Sequence, residues 1–490
     1  MSAFPPDLFA GARFAVVGLG RNGLPAARAL AAMGAEVLAW DDDETARAQA
    51  LRDPSPNPLP RGEGAYSGAT PPPLAGGSRG EGPKPREITI RPPHAGDRLD
   101  ALVLSPGIPH ALPRPHPLAA LAAARGWPIL SDAELLFCAV RASGSAARFV
   151  GVTGTNGKST TTALLAHVLS GAGVPVAAGG NLGPPALALP RLGDDGAYVL
   201  EMSSYMLERL ATVRFDVAAM LNLSADHLDR HGDMAGYEAA KRAVFARQRA
   251  SDWAVVGIDD APSARMAAWL RTRPARAVAV SGARRADVWP DAGVVRDAAG
   301  PIVALGAAPA LPGAHNAQNA AAAAAMAMAL GVARARVARG IETFPGLPHR
   351  QRLVGCVGGV TFVDDSKATN ADAAARALGC YERLVWIAGG QAKAGGIEAL
   401  DPFFPRVACA LLIGRDAPLL AGTLARHGVA HEIAGTLENA VPAALAAARG
   451  TGAVVLLSPA CASFDQFSGF EARGARFAAL VAGLARERAA

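Results

Sequence analysis

The chain has 490 residues, a formal net charge of +6 and only 18% charged residues. Domains usually contain about 100–200 residues, so a chain of this length predicts two to four of them. Its basic residues are mostly single, scattered arginines, which argues against a nucleic-acid-binding tract and is compatible with small anionic substrates.

The first 43 residues predict a strand, a glycine-rich turn, a helix and a second strand. The apolar run at residues 14–17 leads into the turn Gly18-Leu19-Gly20-Arg21-Asn22-Gly23 and a helical pattern over residues 24–33. The second strand, residues 36–40, ends at Asp41. A G-x-G-x-x-G turn with an acid about 20 residues further on usually indicates a dinucleotide site. The same glycines would also serve another diphosphate or a plain tight turn.

Residues 53–93 interrupt this pattern. They are crowded with Pro, Gly, Ser and Arg and have little aliphatic periodicity, which predicts a disordered surface insertion. A proline-rich docking segment is the alternative. Strand and helix patterns then alternate over residues 101–104, 118–125, 128–130 and 132–140. Such alternation predicts a parallel sheet.

A phosphate-binding loop is the strongest local signal in the chain. Residues 149–153 read as a buried strand, and a helical pattern follows the turn Gly154-Thr155-Asn156-Gly157-Lys158-Ser159. In such a loop, backbone N–H groups and the helix N-terminus bind phosphate oxygens. Lys158 would contact the outer phosphates and the Ser159 hydroxyl a magnesium ion. The strict G-x-x-x-x-G-K-[ST] spacing fails because Val152 occupies the first glycine position, so an ordinary strand–helix turn is the alternative.

Acidic and histidine side chains follow two later strands of the same region. Glu201 lies near the end of the strand predicted at residues 197–202, and Asp226 and His227 follow the one at 217–223. These positions allow the side chains to converge on the Ser159 end of the phosphate loop. Magnesium prefers oxygen ligands, so Glu201 is the natural one. Taken singly, Glu201 could be a surface acid and His227 a core histidine.

The second half of the chain continues the α/β pattern. We predict a helix at residues 237–247, a strand at 253–257, a β-like section at 277–305 and an alanine-rich helix at 315–331. Further strands are predicted at residues 360–363, 384–388, 410–413 and 453–457. Each of these four leads into a polar or glycine-rich loop. In open α/β sheets such loops carry the ligand site.

The cysteines and the apolar segments indicate in which cellular compartment the protein is expected. The five cysteines are far apart, without the spacing of a metal site or a disulfide framework, which indicates a reducing cytosol. The N-terminus lacks the apolar core of a signal peptide, and the apolar run at residues 320–330 is shorter than the about 18 residues of a membrane span. We therefore expect a soluble, cytoplasmic protein with neither a membrane nor a nucleic acid as partner. We also expect a monomer.

Several motifs together resemble the Mur ligases of peptidoglycan synthesis. They are GTNGKST (154–160), EMSSYMLE (201–208), NLSADHLDRHG (222–232), AAKRAVF (239–245), GAHNAQNAAAA (313–323), GLPHR (346–350), DDSKATN (364–370) and SPACASFDQF (458–467). The middle motifs are common to Mur ligases and folylpolyglutamate synthases. The last three are similar to those of the Mur ligases that add D-glutamate. The DNPR motif of the members that add diaminopimelate or lysine is absent.

The resemblance implies an α/β protein of three domains. Residues 1–142 would form a Rossmann-like UDP-sugar-binding domain that contains the insertion, residues 143–345 a central P-loop ATPase-like domain, and residues 346–490 a Rossmann-like domain that binds the amino acid. ATP would phosphorylate the L-alanyl carboxylate of UDP-N-acetylmuramoyl-L-alanine, and the amine of D-glutamate would attack the resulting acyl phosphate. ADP and phosphate would be released.

The resemblance also implies roles for individual residues. The residues implied for ATP are Gly154, Thr155, Asn156, Gly157, Lys158, Ser159, Thr160, Asn316, Asn319, Arg350 and Asp365. The residues implied for two Mg²⁺ ions are Ser159, Glu201, His227 and Lys241, with Lys241 carrying a carbamate. Lys158, His227 and Lys241 would be the catalytic set. The UDP-sugar set is Gly18, Gly20, Arg21, Asn22, Gly23, Asp41 and Asn181, and the D-glutamate set is Thr369, Lys393, Ser463 and Phe470.

Three other functions compete with this interpretation. A folylpolyglutamate synthase would share the ATP domain but should lack the N-terminal G-x-G-x-x-G domain. A dinucleotide-dependent oxidoreductase would use Gly18 to Asp41 but would leave the phosphate loop without a role. A non-catalytic ATP-binding module would not need both Glu201 and Lys241.

Overall fold

The computed structural model describes residues 2–52, 87–181, 183–393 and 395–487. Within these ranges the extended strands form three sheets of five, nine and six strands, most of them parallel and flanked by helices. Contacts divide the chain into two compact units, residues 1–308 with 314–344, and residues 309–313 with 345–490. The first unit contains the first two sheets and the second unit contains the third. This architecture confirms the predicted α/β class, while the domain boundaries at 142/143 and 345/346 stay predictions.

The first sheet is fully parallel, and its central strand leads into the glycine-rich turn. Its strands are β1 (Arg13–Val17), β2 (Glu36–Trp40), β3 (Ile88–Ile90), β4 (Ala101–Leu104) and β5 (Ile129–Leu130), in the order β3-β2-β1-β4-β5. Its helices are α1 (Gly23–Ala32), α2 (Glu44–Arg52), α3 (Pro117–Arg125) and α4 (Asp132–Ala142). Because β1 lies between β2 and β4, the turn after β1 is bordered by the segments that follow both neighbours.

Strand β3 corrects the predicted insertion. It pairs in parallel with residues Val37 to Ala39 of β2, inside the segment 53–93 that we predicted to be disordered. Arg91, just after it, donates two hydrogen bonds to Asp97, at 2.8 and 2.6 Å, and lowers the pKa of that carboxyl group. The prediction is therefore wrong at its C-terminal end, because a strand of three residues gives no readable alternation. Residues 53–86 lie outside the described ranges.

The second sheet places the phosphate-loop strand between two parallel neighbours. Its strands are β6 (Arg148–Thr153), β7 (Val176–Gly180), β8 (Ala197–Glu201), β9 (Val217–Met220), β10 (Trp253–Gly257), β11 (Arg276–Val280), β12 (Val288–Asp291), β13 (Val294–Asp297) and β14 (Gly300–Ala304). The order is β14-β13-β12-β11-β10-β9-β6-β8-β7, and β12 to β14 are joined antiparallel. The predicted β-like section is thus confirmed as strands.

The helices of this region pack on strands of the second sheet or on one another. They are α5 (Lys158–Gly171), α6 (Ser204–Leu207), α7 (Leu228–His231), α8 (Met234–Arg242), α9 (Ala261–Leu270), α10 (Ala314–Ala329) and α11 (Arg334–Glu342). The helix predicted at 237–247 is wrong at its end, because the chain tightens into a 3₁₀ turn at Ala243–Phe245. One apolar core is shared by the first two sheets, and Phe149 stacks on Tyr198 within it at 4.9 Å between ring centroids.

The third sheet forms the second unit. Its strands are β15 (Arg352–Val357), β16 (Val360–Asp364), β17 (Leu384–Gly389), β18 (Val407–Ile413), β19 (His431–Gly435) and β20 (Val454–Leu457), in the order β15-β16-β20-β17-β18-β19. Its helices are α12 (Ala371–Leu378), α13 (Ala417–Arg426), α14 (Leu437–Ala448) and α15 (Phe470–Glu487). All four predicted strands are present. No helix in the described part of the chain combines the length and apolarity needed to cross a bilayer.

Candidate active site

The phosphate loop has the backbone of an anion-binding turn. Gly154 and Gly157 have positive φ angles of 149° and 80°, and α5 begins at Lys158. A Cβ atom at Gly157 would lie 2.3 Å from Oδ1 of Asn319, so no other residue fits there without a shift. The Lys158 ammonium donates to the carbonyl groups of Gly154 and Thr155, at 2.9 and 2.8 Å. The loop therefore presents the N-terminus of a helix and a cation at the same place.

Asn222, two residues after the end of β9, contacts the backbone of the phosphate loop. Its Oδ1 accepts a hydrogen bond from the Asn156 amide at 2.8 Å, and its Nδ2 donates to the Asn156 carbonyl at 3.1 Å. Its own carbonyl accepts from the Thr155 amide at 2.9 Å. Sequence reasoning had assigned no individual role to Asn222. Its motif, NLSADHLDRHG, was the only available signal.

Helix α10 brings the predicted Asn316 and Asn319 to the phosphate loop. Both side chains are buried, and Nδ2 of Asn319 donates to Oδ1 of Asn316 at 3.0 Å. Oδ1 of Asn319 accepts from the Thr161 hydroxyl, on the first turns of α5, at 3.2 Å. Two of the predicted ATP residues therefore lie against the loop predicted to hold the phosphates. Ser159 and Thr160, in the first turn of α5, continue that loop.

Glu201 carries a buried carboxylate oxygen without a protein partner. The side chain is 2% exposed at the end of β8, next to the phosphate-loop strand. Its Oε1 accepts from Nδ2 of Asn181 at 2.6 Å, while its Oε2 is buried with no hydrogen-bond partner in the described part of the chain. Leaving such an atom unpaired is costly, so the geometry suits a bound cation.

The chemistry of Glu201 and Ser159 suits a magnesium ion that is bound together with substrate oxygens. A carboxylate and the Ser159 hydroxyl are hard oxygen ligands of the kind Mg²⁺ takes. The described ranges contain no group of three or more His, Cys, Asp and Glu side chains that could hold a metal by themselves. Because Mg²⁺ usually keeps substrate phosphates and waters as ligands, a site of few protein ligands fits it.

Lys241, in the last turn of α8, is buried beside the loop. It is 1% exposed, and its Nζ donates to the Gly154 carbonyl at 2.8 Å and to the Thr153 hydroxyl at 3.4 Å. The ammonium lies 4.7 Å above the ring of Tyr237. Burial, and next the like charge of Lys158, lowers the pKa of Lys241 to about 7. A substantial fraction of the amine is therefore neutral near pH 7, unlike that of a surface lysine.

His227 lies at the edge of this cluster. Its side chain is 45% exposed, and its ring is 3.4 Å from the Asp226 carboxylate and 5.1 Å from the Tyr205 ring centroid. The residue has φ 52°, a left-handed conformation that costs free energy for a residue with a Cβ atom. Such strain is found at functional sites, although the described contacts leave its role as a metal ligand a prediction.

The glycine turn after β1 is fixed by its own chain. Oδ2 of Asp41 accepts from the Leu19 amide at 2.6 Å, and a Cβ atom at Gly23 would lie 1.8 Å from the Gly18 carbonyl oxygen. Asp41 is the acid that would bind a ribose in a dinucleotide site, but here its carboxylate already accepts a hydrogen bond from the turn. Nη2 of Arg21 donates to the Gly183 carbonyl at 3.3 Å. This contact brings the turn next to the segment after β7 that contains Asn181.

The predicted D-glutamate residues follow three neighbouring strands of the second unit. Thr369 follows β16, Lys393 follows β17 and Ser463 follows β20, and these strands are adjacent in the sheet. Paired backbone hydrogen bonds between Gln391 and Ala462, at 2.8 and 2.9 Å, join the loops that carry Lys393 and Ser463. The loops after β17 and β20 therefore meet, while binding of D-glutamate by these residues stays a prediction. Lys393 itself is exposed.

The segment that follows β16 also carries a buried acid. Asp365 accepts from the Ser458 hydroxyl at 2.7 Å and from the Gln351 amide at 3.2 Å. Burial raises the pKa of Asp365 to about 7. The hydrogen bonds from Ser458 and Gln351 and the charge of the exposed Arg350 lower the pKa of the Asp365 carboxyl group, but burial has the larger effect.

Arg473, on α15, was not singled out from the sequence. The side chain is 1% exposed and donates to the carbonyl groups of Ser366 and Cys461 and to the Ser366 hydroxyl, at 2.8 to 3.1 Å. The Ser366 hydroxyl in turn donates to the carbonyl of Phe470, at the start of α15, at 2.9 Å. A single arginine has no sequence pattern that could have marked it as the connection between these loops.

Comparisons with known proteins identify the family. Residues 152–327 match the Mur ligase middle domain. A UDP-N-acetylmuramoylalanine–D-glutamate ligase of Paramagnetospirillum magneticum is 47% identical over 97% of this chain and 97% of that protein. One of Rhodospirillum rubrum is 46% identical over 98% of this chain and 97% of that protein.

Solved structures share the fold at low sequence identity. UDP-N-acetylmuramate-alanine ligase MurC of Thermotoga maritima matches with a TM-score of 0.56 at 17% identity, over 96% of this chain and 99% of that one. MurF of Acinetobacter baumannii matches with a TM-score of 0.53 at 20% identity, over 71% of this chain and 80% of that one. The resemblance read from the sequence motifs is confirmed by the full-length relatives: the chain belongs to the Mur ligase family.

Proposed function

We propose that this chain is an ATP-dependent ligase that joins D-glutamate to UDP-N-acetylmuramoyl-L-alanine, a step of peptidoglycan precursor synthesis. The observation that carries the proposal is the similarity over nearly the whole chain to ligases named for this reaction. The geometry supports it, because a phosphate loop, a buried carboxylate and a buried lysine lie together in the first unit.

The reaction we propose activates a poor electrophile. The terminal phosphoryl group of ATP is transferred to the L-alanyl carboxylate, which gives an acyl phosphate and ADP. The neutral amine of D-glutamate then attacks the acyl carbon, a proton leaves the nitrogen, and inorganic phosphate departs as the amide forms. The Lys158 ammonium and the loop amides stabilise the charge on the transferring group.

Magnesium ions would be held at two places. Ser159 and Glu201 would bind one ion, and His227 with a carbamate on Lys241 would help to bind a second. The ions would neutralise charge on the phosphate oxygens and orient them. The unpaired Oε2 atom of Glu201 supports the first place.

The surroundings of Lys241 support the proposed carbamate. An ammonium repels a cation, whereas the carbamate formed from a neutral amine and carbon dioxide supplies anionic oxygens. Burial keeps much of the Lys241 amine neutral near pH 7. The carbamate would lie beside the first residues of the phosphate loop, because Nζ contacts the Gly154 carbonyl.

The two organic substrates would use different units of the chain. The turn at Gly18, Gly20, Arg21, Asn22 and Gly23 would bind the UDP diphosphate, with Asp41 fixing the turn and Asn181 nearby. Thr369, Lys393, Ser463 and Phe470 would bind D-glutamate, and Arg350 and Asp365 would contribute to nucleotide binding. We further propose a cytoplasmic monomer that binds neither a membrane nor nucleic acid.

An ADP-release assay tests the proposal. The purified chain with ATP, Mg²⁺ and UDP-N-acetylmuramoyl-L-alanine is offered D-glutamate, L-glutamate, L-lysine, meso-diaminopimelate and L-alanine in separate reactions. We expect ADP release with D-glutamate alone, together with a product whose mass has risen by one glutamyl residue. Release with another amino acid would contradict the proposed specificity, and binding of NADH in place of the UDP-sugar would favour the oxidoreductase.

A further inference from the structure

Arg209, outside every residue set considered so far, connects the two sheets of the first unit. It follows α6 and is 3% exposed. Its Nη1 donates to the carbonyl groups of Leu104 and Ser105, at 2.8 and 3.2 Å, and its Nη2 donates to that of Ile108. Its Nε donates to Nδ1 of His110 at 3.4 Å. The Arg209 guanidinium therefore holds the 105–110 loop, the segment that follows β4. Arg230 adds contacts to the Ile108 carbonyl and to Nδ1 of His110, at 3.5 and 3.2 Å.

The 105–110 loop packs directly against the glycine turn. The Ser105 hydroxyl donates to the Gly18 carbonyl at 2.6 Å, and the Ser105 amide donates to the carbonyl of Val17 at 2.9 Å. A Cβ atom placed on Gly18 would lie 2.7 Å from Cδ1 of Ile108. The peptide between Gly18 and Leu19 is thus held at its carbonyl by Ser105 and at its amide by Asp41.

The chain on both sides of Arg209 is itself held rigidly. Its carbonyl accepts from the Ser131 amide at 3.1 Å, just before α4. The buried Glu134 carboxylate, on α4, accepts from the amides of Ala211, Thr212 and Val213, at 2.7 to 3.3 Å. The guanidinium therefore projects from a fixed backbone, as a residue that positions a loop must.

The hydrogen bonds of Arg209 go to carbonyl groups and a histidine instead of a carboxylate. Burying a guanidinium whose hydrogen bonds all go to neutral acceptors is an expensive way to stabilise a fold, since the charge loses its water and the neighbouring Glu208 carboxylate attracts it without a hydrogen bond. The planar fork of an arginine can, however, hold several carbonyl groups at fixed spacing, which a lysine cannot do. This arrangement favours precise placement of the loop over stability.

We propose that Arg209 is a positioning residue for the UDP-sugar: by holding the 105–110 loop against the Gly18 turn, it keeps the turn in the shape that binds the diphosphate. The inference rests on the proposed role of the turn. Arg209 contacts no part of the phosphate loop in the bonds described above, so its effect should be confined to one substrate.

The test compares Arg209→Met with Arg209→Lys. Methionine keeps much of the volume and removes every donor, and we expect the Kd and KM for UDP-N-acetylmuramoyl-L-alanine to rise about tenfold or more, as for lost hydrogen bonds to a charged group. The KM values for ATP and D-glutamate should change less than about twofold, and kcat only slightly. Lysine, which can reach one or two of the carbonyl groups, should restore part of the affinity.

Arg247→Met is the matched control. Arg247 is half-buried, and its Nη2 donates to the Leu210 carbonyl at 2.6 Å, so it contacts the residue next to Arg209 without contacting the 105–110 loop. We expect this variant to bind all three substrates like the parent. If Arg209→Met does not fold, Ser105→Ala should raise the Kd for the UDP-sugar in the same direction by a smaller factor.

Calorimetric titration of the UDP-sugar alone separates the possible failures. Parental affinity in Arg209→Met, or in Ser105→Ala where the first does not fold, overturns the inference and leaves the proposed function intact. A joint rise of all three KM values indicates general destabilisation and also overturns it. A parent chain that does not bind the UDP-sugar refutes the proposed role of the turn itself.

Discussion

Glu201 and Lys241 are both buried next to the phosphate-loop strand, and each lacks a partner that would stabilise its charge fully. Glu201 keeps one carboxylate oxygen without a protein partner, and Lys241 has a pKa lowered to about 7 in a place that also contains the Lys158 ammonium. A bound cation would pair with the free oxygen of the Glu201 carboxylate. Carbamate formation would replace the Lys241 ammonium, which repels cations, with anionic oxygens that can bind them. The two residues are therefore the most informative single positions of the first unit.

Lys241→Ala should lose activity and regain part of it with small carboxylic acids. We expect a loss of roughly 10²–10³-fold, comparable to the removal of one group that stabilises transition-state charge. Formate or acetate can fill the vacated volume with carboxylate oxygens, so ADP release should rise with their concentration. Lys158→Ala is the control, because a carboxylate cannot replace a cation and should give no rescue. Full activity of Lys241→Ala would refute the metal-bridging role.

Lys393→Ala should weaken the use of D-glutamate selectively. Losing a hydrogen bond to a charged group costs about 1.5–3 kcal/mol, or roughly a tenfold to 150-fold rise in KM for D-glutamate. Arg426→Ala is the control, since Arg426 is a cation of the same unit whose side chain pairs with Glu398 on the surface. Separate titrations of the three substrates decide the matter. A rise in the KM for ATP with an unchanged KM for D-glutamate would show that the loop is assigned wrongly.

Among the elements, several short apolar strands that lead into glycine-rich or polar loops were predicted, whereas no prediction was made for β7, β15, β19 and the helices of the second unit. The strands β6, β8 and β17 are short β-branched or apolar runs bounded by glycines or polar residues, and each was predicted close to its observed bounds. Strand β3 and the 3₁₀ turn after α8 were missed, because three residues carry no period and a change of helix type leaves the apolar spacing intact.

The site was predictable where it lies on motifs and unpredictable where it depends on contacts across the fold. The phosphate loop and the loops after β16, β17 and β20 follow from the rule that parallel strands bring their carboxyl ends together. Arg209, Asn222 and Arg473 act on backbone groups from 66 to 107 positions away in the sequence. The residues next to them in the sequence do not indicate which distant backbone groups they contact.

Two deletions test the element-scale correction. Replacing residues 54–84 by a short Gly-Ser linker should leave the melting temperature and the ADP-release rate near those of the parent. Replacing residues 54–93 removes β3 and also Arg91, which leaves the Asp97 carboxylate, 4% exposed, without its shortest ion pair and with Arg13 at 4.0 Å. Breaking a pair of which one partner is buried costs about 3–5 kcal/mol at most, so this deletion should melt several degrees lower.

Equal melting temperatures for the two deletions would show that β3 contributes no stability. A loss of activity in the shorter deletion, with an unchanged melting temperature, would instead assign a function to the residues between 54 and 84.

At the scale of the whole molecule, the chain divides its candidate substrates between two compact units. The first unit joins the glycine turn, the phosphate loop, Glu201 and Lys241 around one shared apolar core. The second unit has its own cores and presents the candidate D-glutamate loops at the carboxyl ends of adjacent strands. The first unit would therefore activate the carboxylate, and the second would supply the amine.

The fate of the carboxylate oxygens tests this account most directly. UDP-N-acetylmuramoyl-L-alanine labelled with ¹⁸O in its L-alanyl carboxylate is incubated with the chain, ATP, Mg²⁺ and D-glutamate, and the released phosphate and the product are analysed by mass spectrometry. Phosphoryl transfer to that carboxylate predicts one ¹⁸O atom in each phosphate and one in the new amide. Unlabelled phosphate released along with the D-glutamyl product would contradict the account, because the carboxylate would then have been activated without an acyl phosphate.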